Sequence, residues 1–456
     1  MRNISQSNLK CPKRPKLVSG FVVGLAALAL SGCGLHSLHV QQSPLLKYFA
    51  PKSGHLAYLG VDGNIHIGDQ GGHVIDVTKD GQVGSSATLS YGSPTWSSDG
   101  KQIVFTRFKV DSSANTQTAT VLTANSEGKD LRTVFSSTSL APFYFYWSPD
   151  DKEIGMLSQS LDSQSQGNIE MGIIPLTAKD PSAAYRVINS DAPFYWVWGP
   201  AGKEIIAHTQ SGSAQDAPDY VRILPTAGRG GNVDQLKASL GAFDTPAIAA
   251  DGKDVVIPIG SADASDLVVR NLTSGSQRMV AKALGSVSYD LSPDGKWLAF
   301  IDQANSKSSS SRVLHIVEVN NPKNSFTVKE RPVFSFYWAP NSKEIAYVVP
   351  LQSKASIDSM FAHSNKLPYA QLQVVDVSKR DSWAVSQFPV TQGFLNSVPF
   401  NDQYQHSSTI WSPNSKYIVF SAYTAQGNPG VFVAGADGNI KPDLVGSGEF
   451  PTWSWH

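Results

Sequence analysis

A serine and an aspartate two positions apart recur behind tryptophans along this chain, as in Trp147-Ser148-Pro149-Asp150. A serine could act as a nucleophile if a base stood beside it and a third group oriented that base. Ser and Asp are abundant here, so spacing alone singles out no triad. No Gly-x-Ser-x-Gly elbow and no Gly-x-x-x-x-Gly-Lys phosphate loop occurs. The ten histidines form no His-x-x-x-His pair and there is no Cys-x-x-Cys, so neither a metal nor a cofactor is expected. Asp62-Gly63-Asn64 and Asp437-Gly438-Asn439 begin like calcium loops, but neither continues into a full ligand set. Both read as hairpin turns. No catalytic residue is therefore assigned.

The side chains left with recognition chemistry are aromatic. Three runs stand out: Pro142-Phe143-Tyr144-Phe145-Tyr146-Trp147, Pro193-Phe194-Tyr195-Trp196-Val197-Trp198 and Pro332-Val333-Phe334-Ser335-Phe336-Tyr337-Trp338. Aromatic faces with polar tips can stack on sugars or grip a peptide. The same rings can simply fill space in a core. If they bind, the candidates are Phe143, Tyr144, Phe194, Tyr195 and Phe334, which come first in their runs.

What must position these runs is a repeat. Trp147-Ser-Pro-Asp-Asp-Lys is followed by a strand with alternating apolar residues, Ile154 onward. Further copies begin at Trp96, Trp198, Ile248, Leu291, Trp338 and Trp411, with a degenerate first copy at Phe49. With Trp453 at the end, the intervals are 47, 51, 51, 50, 43, 47, 73 and 42 residues. In each copy Pro pre-sets a turn, Asp or Asn bonds nearby backbone, and Gly supplies positive φ. Asp99, Asp150 and Asp294 are thus turn formers. Asp151, Ser342 and Ser415 stand where Gly belongs and should be strained. Units of 40 to 50 residues with short strands predict an all-β, eight-bladed β-propeller. Seven blades is the alternative, if the decayed copy at Ile248 is absorbed elsewhere. The final strand, Phe450 to Trp455, should supply the innermost strand of the first blade and close the ring. The 73-residue interval holds two insertions, about 351–369 and 388–406, and long loops in compact folds are often functional.

The Trp-Ser-Pro-Asp-Gly-Lys element followed by Ile-x-Phe resembles the PD40, or WD40-like, repeats of TolB-type propellers. The resemblance covers about residues 49–456. It implies a propeller and leaves function open, since such folds host binding proteins, scaffolds and some enzymes. TolB has six blades and an additional N-terminal domain, for which this chain has no room. Propellers of prolyl oligopeptidase relatives carry similar repeats, but no hydrolase domain follows here.

The first residues read as a targeting segment. Lys10 to Lys16 is basic, and Leu17 to Leu30 is apolar but short for a membrane span. Leu30-Ser31-Gly32-Cys33 resembles a bacterial lipobox, which implies that Cys33 is lipidated and becomes the N-terminus. Residues 1–32 would be the signal peptide, 33–48 a tether and 49–456 the propeller. Lipid chains on Cys33 would hold the domain to the outer face of the plasma membrane or to the outer membrane. Cys11 is the only other cysteine and leaves with the signal, so no disulfide forms. Residues 1–32 hold five basic residues and no acidic ones. The remainder therefore has 32 basic against 37 acidic residues, a net charge of −5. No basic stripe is present, so nucleic acid is not an expected partner. The expectation is a monomeric lipoprotein of the cell envelope. Its propeller would bind a protein, peptide or glycan, or scaffold an envelope complex, without catalysis. An enzyme acting on polysaccharide or peptide at the channel mouth is the alternative.

Overall fold

The computed structural model describes residues 54–456 except 69–72, 85, 93, 115, 162–167, 190–193, 211–218, 228–233, 237–244, 250, 262, 304–311, 331 and 352–367. Cys33, the tether, Phe49 and most of the first insertion lie outside these residues. The described residues form eight antiparallel sheets, one per repeat. They make an all-β, eight-bladed propeller, and the decayed copy at Ile248 is a blade like the rest. Its innermost strand, Ala247–Ile248, opens a four-stranded sheet that continues through Asp254–Gly260, Ala264–Asn271 and Gln277–Leu284.

The ring closes between the two ends of the fold. The C-terminal strand Gly448–Trp453 pairs antiparallel with Leu56–Gly60 and is the innermost strand of the first blade. Trp453 therefore holds the lead position of that blade. Eight apolar clusters separate the eight blades. One packs Val104 and Phe135 of the second blade on Phe145, Trp147 and Ile154 of the third. Another joins Val419 and Val431 of the eighth to Leu56, Tyr58 and Trp453 of the first. Successive buried residues of a strand face opposite neighbours, as Ile103 and Phe105 face the first blade and Val104 the third, so the core is a set of radial layers.

The repeat residues tie the blades together. Ser97 Oγ donates to Asp99 Oδ1 at 2.8 Å and accepts from Gln102 N at 2.9 Å. Ser148, Ser292 and Ser412 do the same with Asp150, Asp294 and Asn414. The lead Trp of the second, third, fourth, seventh and eighth blades sends its indole N–H to the preceding blade's innermost strand. Trp96 reaches Thr452 O, Trp147 reaches Thr95 O, Trp198 reaches Tyr146 O, Trp338 reaches Asp290 O and Trp411 reaches Tyr337 O, at 3.0–3.4 Å. The acceptor is always the residue just before that blade's own lead position.

Asp151, Ser342 and Ser415 do adopt positive φ, 56°, 59° and 58°. Such a conformation costs a non-glycine residue about 1–2 kcal/mol. Each side chain offsets this by capping the previous blade's turn. Asp151 accepts from Ser98 N and Asp99 N, Ser342 Oγ from Asp294 N and Ser415 Oγ from Asn341 N.

No helix among the described residues is long and apolar enough to cross a membrane. Among the described residues, the helices come from the second insertion. They are α1, Gln392–Ser397, capped by Thr391 Oγ1 on Phe394 N, and α2, Asn401–Ser407, with a 3-10 turn between them.

Candidate functional site

Helix α2 lies on the propeller axis. It packs against the innermost strands of the third, fourth, sixth and seventh blades. Its side chains bond those strands. Gln403 Nε2 donates to Tyr144 Oη at 2.6 Å and to Trp196 O at 3.0 Å, while its Oε1 accepts from Trp196 N at 2.8 Å. Tyr144 Oη in turn donates to Gln403 O. Asp402 accepts from the N–H and hydroxyl of Thr245, and Asn401 donates to Phe336 O. Polar groups on a buried helix and on strand backbones at a channel wall thereby satisfy one another. Burial pushes the Asp402 carboxyl up to about 6, although the Thr245 donors pull the other way.

The helix leaves a cavity on either side of itself. The first, of 340 Å³, is lined by Tyr404 of α2, Phe394 and Ser397 of the insertion, and Phe388, Ile410 and Phe420 of the last two blades. Its opposite wall comes from the first three blades. It holds Phe450, Pro451, Pro94, Phe143 and Tyr144.

That wall is built from irregular strands. Leu157 pairs Tyr144 and Ser158 pairs Pro142, so Phe143 is the extra residue of a β-bulge. Ala57 pairs Thr452 and Leu59 pairs Glu449, so Phe450 and Pro451 face Tyr58 alone. In the second blade the pairing with the next strand is also interrupted, between the pairs Tyr91–Arg107 and Thr95–Val104. Bulges re-aim side chains. Here they leave Phe143 46% and Phe450 36% exposed, both at the same cavity. Phe450 also has φ 53° and precedes Pro451. A bulky residue in that region, before a proline, is held there against a cost of about 1–3 kcal/mol.

The five aromatic candidates from the sequence separate. Phe143 and Tyr144 line this cavity. Burial holds the Tyr144 phenol well above its usual range, so it stays a neutral donor. Tyr195 is half-buried on the adjoining strand and is not part of the lining. Phe334 is buried in the layer between the seventh and eighth blades. Phe194 starts its strand, and its side chain lies outside the described residues. Within the third-blade run the faces alternate from Tyr144 to Trp147, Tyr144 and Tyr146 toward the fourth-blade layer and Phe145 and Trp147 toward the second-blade layer, while the bulge turns Phe143 to the cavity. Sequence reasoning missed Phe450, Phe394 and Tyr404. The available signal was an aromatic before proline in a strand that otherwise reads as regular.

The second cavity, of 310 Å³, lies on the side of the repeat turns. It is lined by Ser292, Pro293, Asp290, His406 and Gln405 with several rings. Burial lowers the His406 imidazole to about 4 and raises the Asp290 carboxyl to about 8, with the Asp402 charge adding to the latter. Among the described residues, no group of three or more His, Cys, Asp or Glu is placed to hold a metal ion.

No model of a known protein family matches the sequence, and no curated protein is recognisably similar to it. Solved structures give distant likenesses. The dihydro-heme d1 dehydrogenase NirN in complex with DHE matches at a TM-score of 0.51 and 14% identity, over 89% of this chain and 76% of that one. TolB from Acinetobacter baumannii matches at 0.36 and 14%, over 80% and 83%. A puromycin hydrolase matches at 0.45 and 14%, over 67% and 50%. These likenesses are to propellers with different activities, and they show the fold alone.

Proposed function

We propose that this chain is a lipid-anchored protein of the cell envelope whose propeller binds an apolar or aromatic side chain of a protein or peptide partner, without catalysis. The observation that carries this reading is the pair of exposed phenylalanines, Phe143 and Phe450, on bulged innermost strands at one cavity. A strained aromatic kept at a cavity rim is a feature that packing alone would not select. Aromatic anchors in a pocket walled by further rings match the anatomy of binding hot spots. Attachment through Cys33 would hold the domain near the membrane, where a partner of the envelope would meet it.

Photocrosslinking tests the reading. A benzoyl-phenylalanine at position 143 or 450 of the full chain, expressed in cells, should give a discrete adduct. The same probe at the exposed Met279 should give none. Absence of adducts at 143 and 450, or an equal adduct at 279, would overturn the proposal. The anchor has a separate test, since fatty-acid label should enter the wild type and not Cys33→Ser.

A second reading, hydrolysis of a polysaccharide or peptide, has one observation in its favour. Asp290 stays protonated at neutral pH, as a general acid must. The other channel carboxylate, Asp402, is engaged by Thr245 and does not line the Asp290 cavity. Turnover of such a substrate that Asp290→Asn abolishes would favour this reading over simple binding.

A further inference from the structure

The second cavity carries its own chemistry, apart from the aromatic pocket. Asp290 accepts a single hydrogen bond among the described residues, from Leu291 N, and no Lys or Arg lines the cavity with it. Among the described residues, the buried amide oxygen and nitrogen of Gln405 both lack partners, and buried His406 Nε2 also lacks one. His406 Nε2 stands 4.0 Å from Asp290 Oδ1, too far for a hydrogen bond. Three groups able to accept hydrogen bonds therefore belong to the lining of one cavity, two of them without partners and Asp290 with capacity beyond its one bond. Such atoms are rare in folded proteins and call for an explanation. The rest of the lining includes Tyr146, Tyr337, Trp338 and Trp455.

We propose that this cavity binds a primary ammonium group carrying an apolar substituent. An ammonium has three donors and no acceptor, which suits a carboxylate, an amide oxygen and an imidazole nitrogen. Aromatic faces attract a cation and pack the hydrocarbon beside it. A neutral alcohol would satisfy fewer of these atoms and would not drive the ionisation of Asp290.

The ligand would displace a proton. Among the described residues, the other titratable groups that line the cavity with Asp290 are neutral at pH 7. His406 is lowered to about 4, Tyr337 is raised to about 12 and Tyr146 higher, all by burial. Asp402, beyond the cavity wall, adds repulsion to an ionised Asp290. A bound cation must therefore ionise Asp290, so affinity should rise with pH up to about 8 and level off.

Titration calorimetry on the detergent-solubilised full chain tests this with 2-phenylethylammonium and its neutral analogue 2-phenylethanol. The ammonium should bind at least tenfold tighter than the alcohol. At pH 7 it should release close to one proton, read from runs in buffers of different ionisation heat. Asp290→Asn should lose tenfold or more in affinity and release no proton. Should that variant fold poorly, Trp455→Ala, beyond the last strand, should weaken the ammonium while preserving proton release. Equal binding of alcohol and ammonium, unchanged binding in Asp290→Asn, or no binding of the ammonium at any pH up to 8 would each overturn the proposal. An amine in free solution and a lysine side chain share this chemistry. A lysine-containing peptide and its Lys→Gln counterpart, run as competitors, distinguish the two sources.

Discussion

At the scale of single residues, two positions of positive φ carry opposite meanings. Asp151 caps the neighbouring turn, and its carboxylate serves two backbone N–H groups. Asp151→Gly removes the backbone strain but strands those donors. Asp151→Ala strands them and keeps the strain. Calorimetric unfolding should rank wild type above Gly and Gly above Ala, with the last two separated by about 1 kcal/mol. Phe450 has no such cap, so its strain is offset only by the strand that holds it. Phe450→Gly should be more stable than Phe450→Ala by about 1 kcal/mol in calorimetric unfolding. The sequence could be read for the first kind of position and not the second. Asp151 sits in a repeat, where Gly100, Gly202, Gly252 and Gly295 in other copies reveal the missing Gly. Phe450 sits in a bulge, and a bulge is set by pairing with a strand almost four hundred residues away.

At the scale of elements, the repeat made the blades readable, and the insertion near 388–406 stood out only as excess length. That it forms a helix on the axis could not be read, because α2 has a polar inner surface and short helices lack a clear apolar period. Its hold comes from hydrogen bonds to strand backbone. Gln403→Ala should cost about 1–3 kcal/mol for each buried group left unpaired, here Trp196 N–H and O. Urea titrations would measure the loss, and hydrogen exchange should show it first at Trp196. The cavity on each side of the helix was likewise beyond the sequence. Asp290 lies in a blade whose lead position is Leu, and Gln405 and His406 lie in the insertion. Nothing in their spacing joins them.

At the scale of the whole molecule, eight-fold repetition and closure by the C-terminal strand were both readable, because phase survives even where single copies decay. A chain ending at residue 447 should lose the innermost strand of the first blade and bare the edge of Leu56–Gly60. It should run as aggregates in size-exclusion chromatography. Stability should also depend on pH in a set way. Asp290 and Asp402 are raised when folded, so the native state holds more protons and stability falls as pH rises from about 4. Asp402 stops contributing near 6 and Asp290 near 8. His406 is lowered and opposes this between about 4 and 6.5. The three together predict a decline from pH 4 to 6, a level stretch to 6.5, and a further decline to 8. Each proton is worth about 1.4 kcal/mol per pH unit. Asp290→Asn should abolish the last decline in melting temperatures taken at pH 6.5 and 8.

The helix on the axis and the closing strand share an origin that bears on time. Blades two to seven draw every strand from residues before 390, whereas α2, the eighth blade and the strand Gly448–Trp453 all come afterwards. A chain emerging from a ribosome or an export channel can thus assemble six blades early, as an open arc with a bare axis. Only the arrival of the last seventy or so residues fills the middle and joins the ends. Until then the aromatic walls of the future cavities face solvent, and the nascent molecule is at its most adhesive just before it is finished.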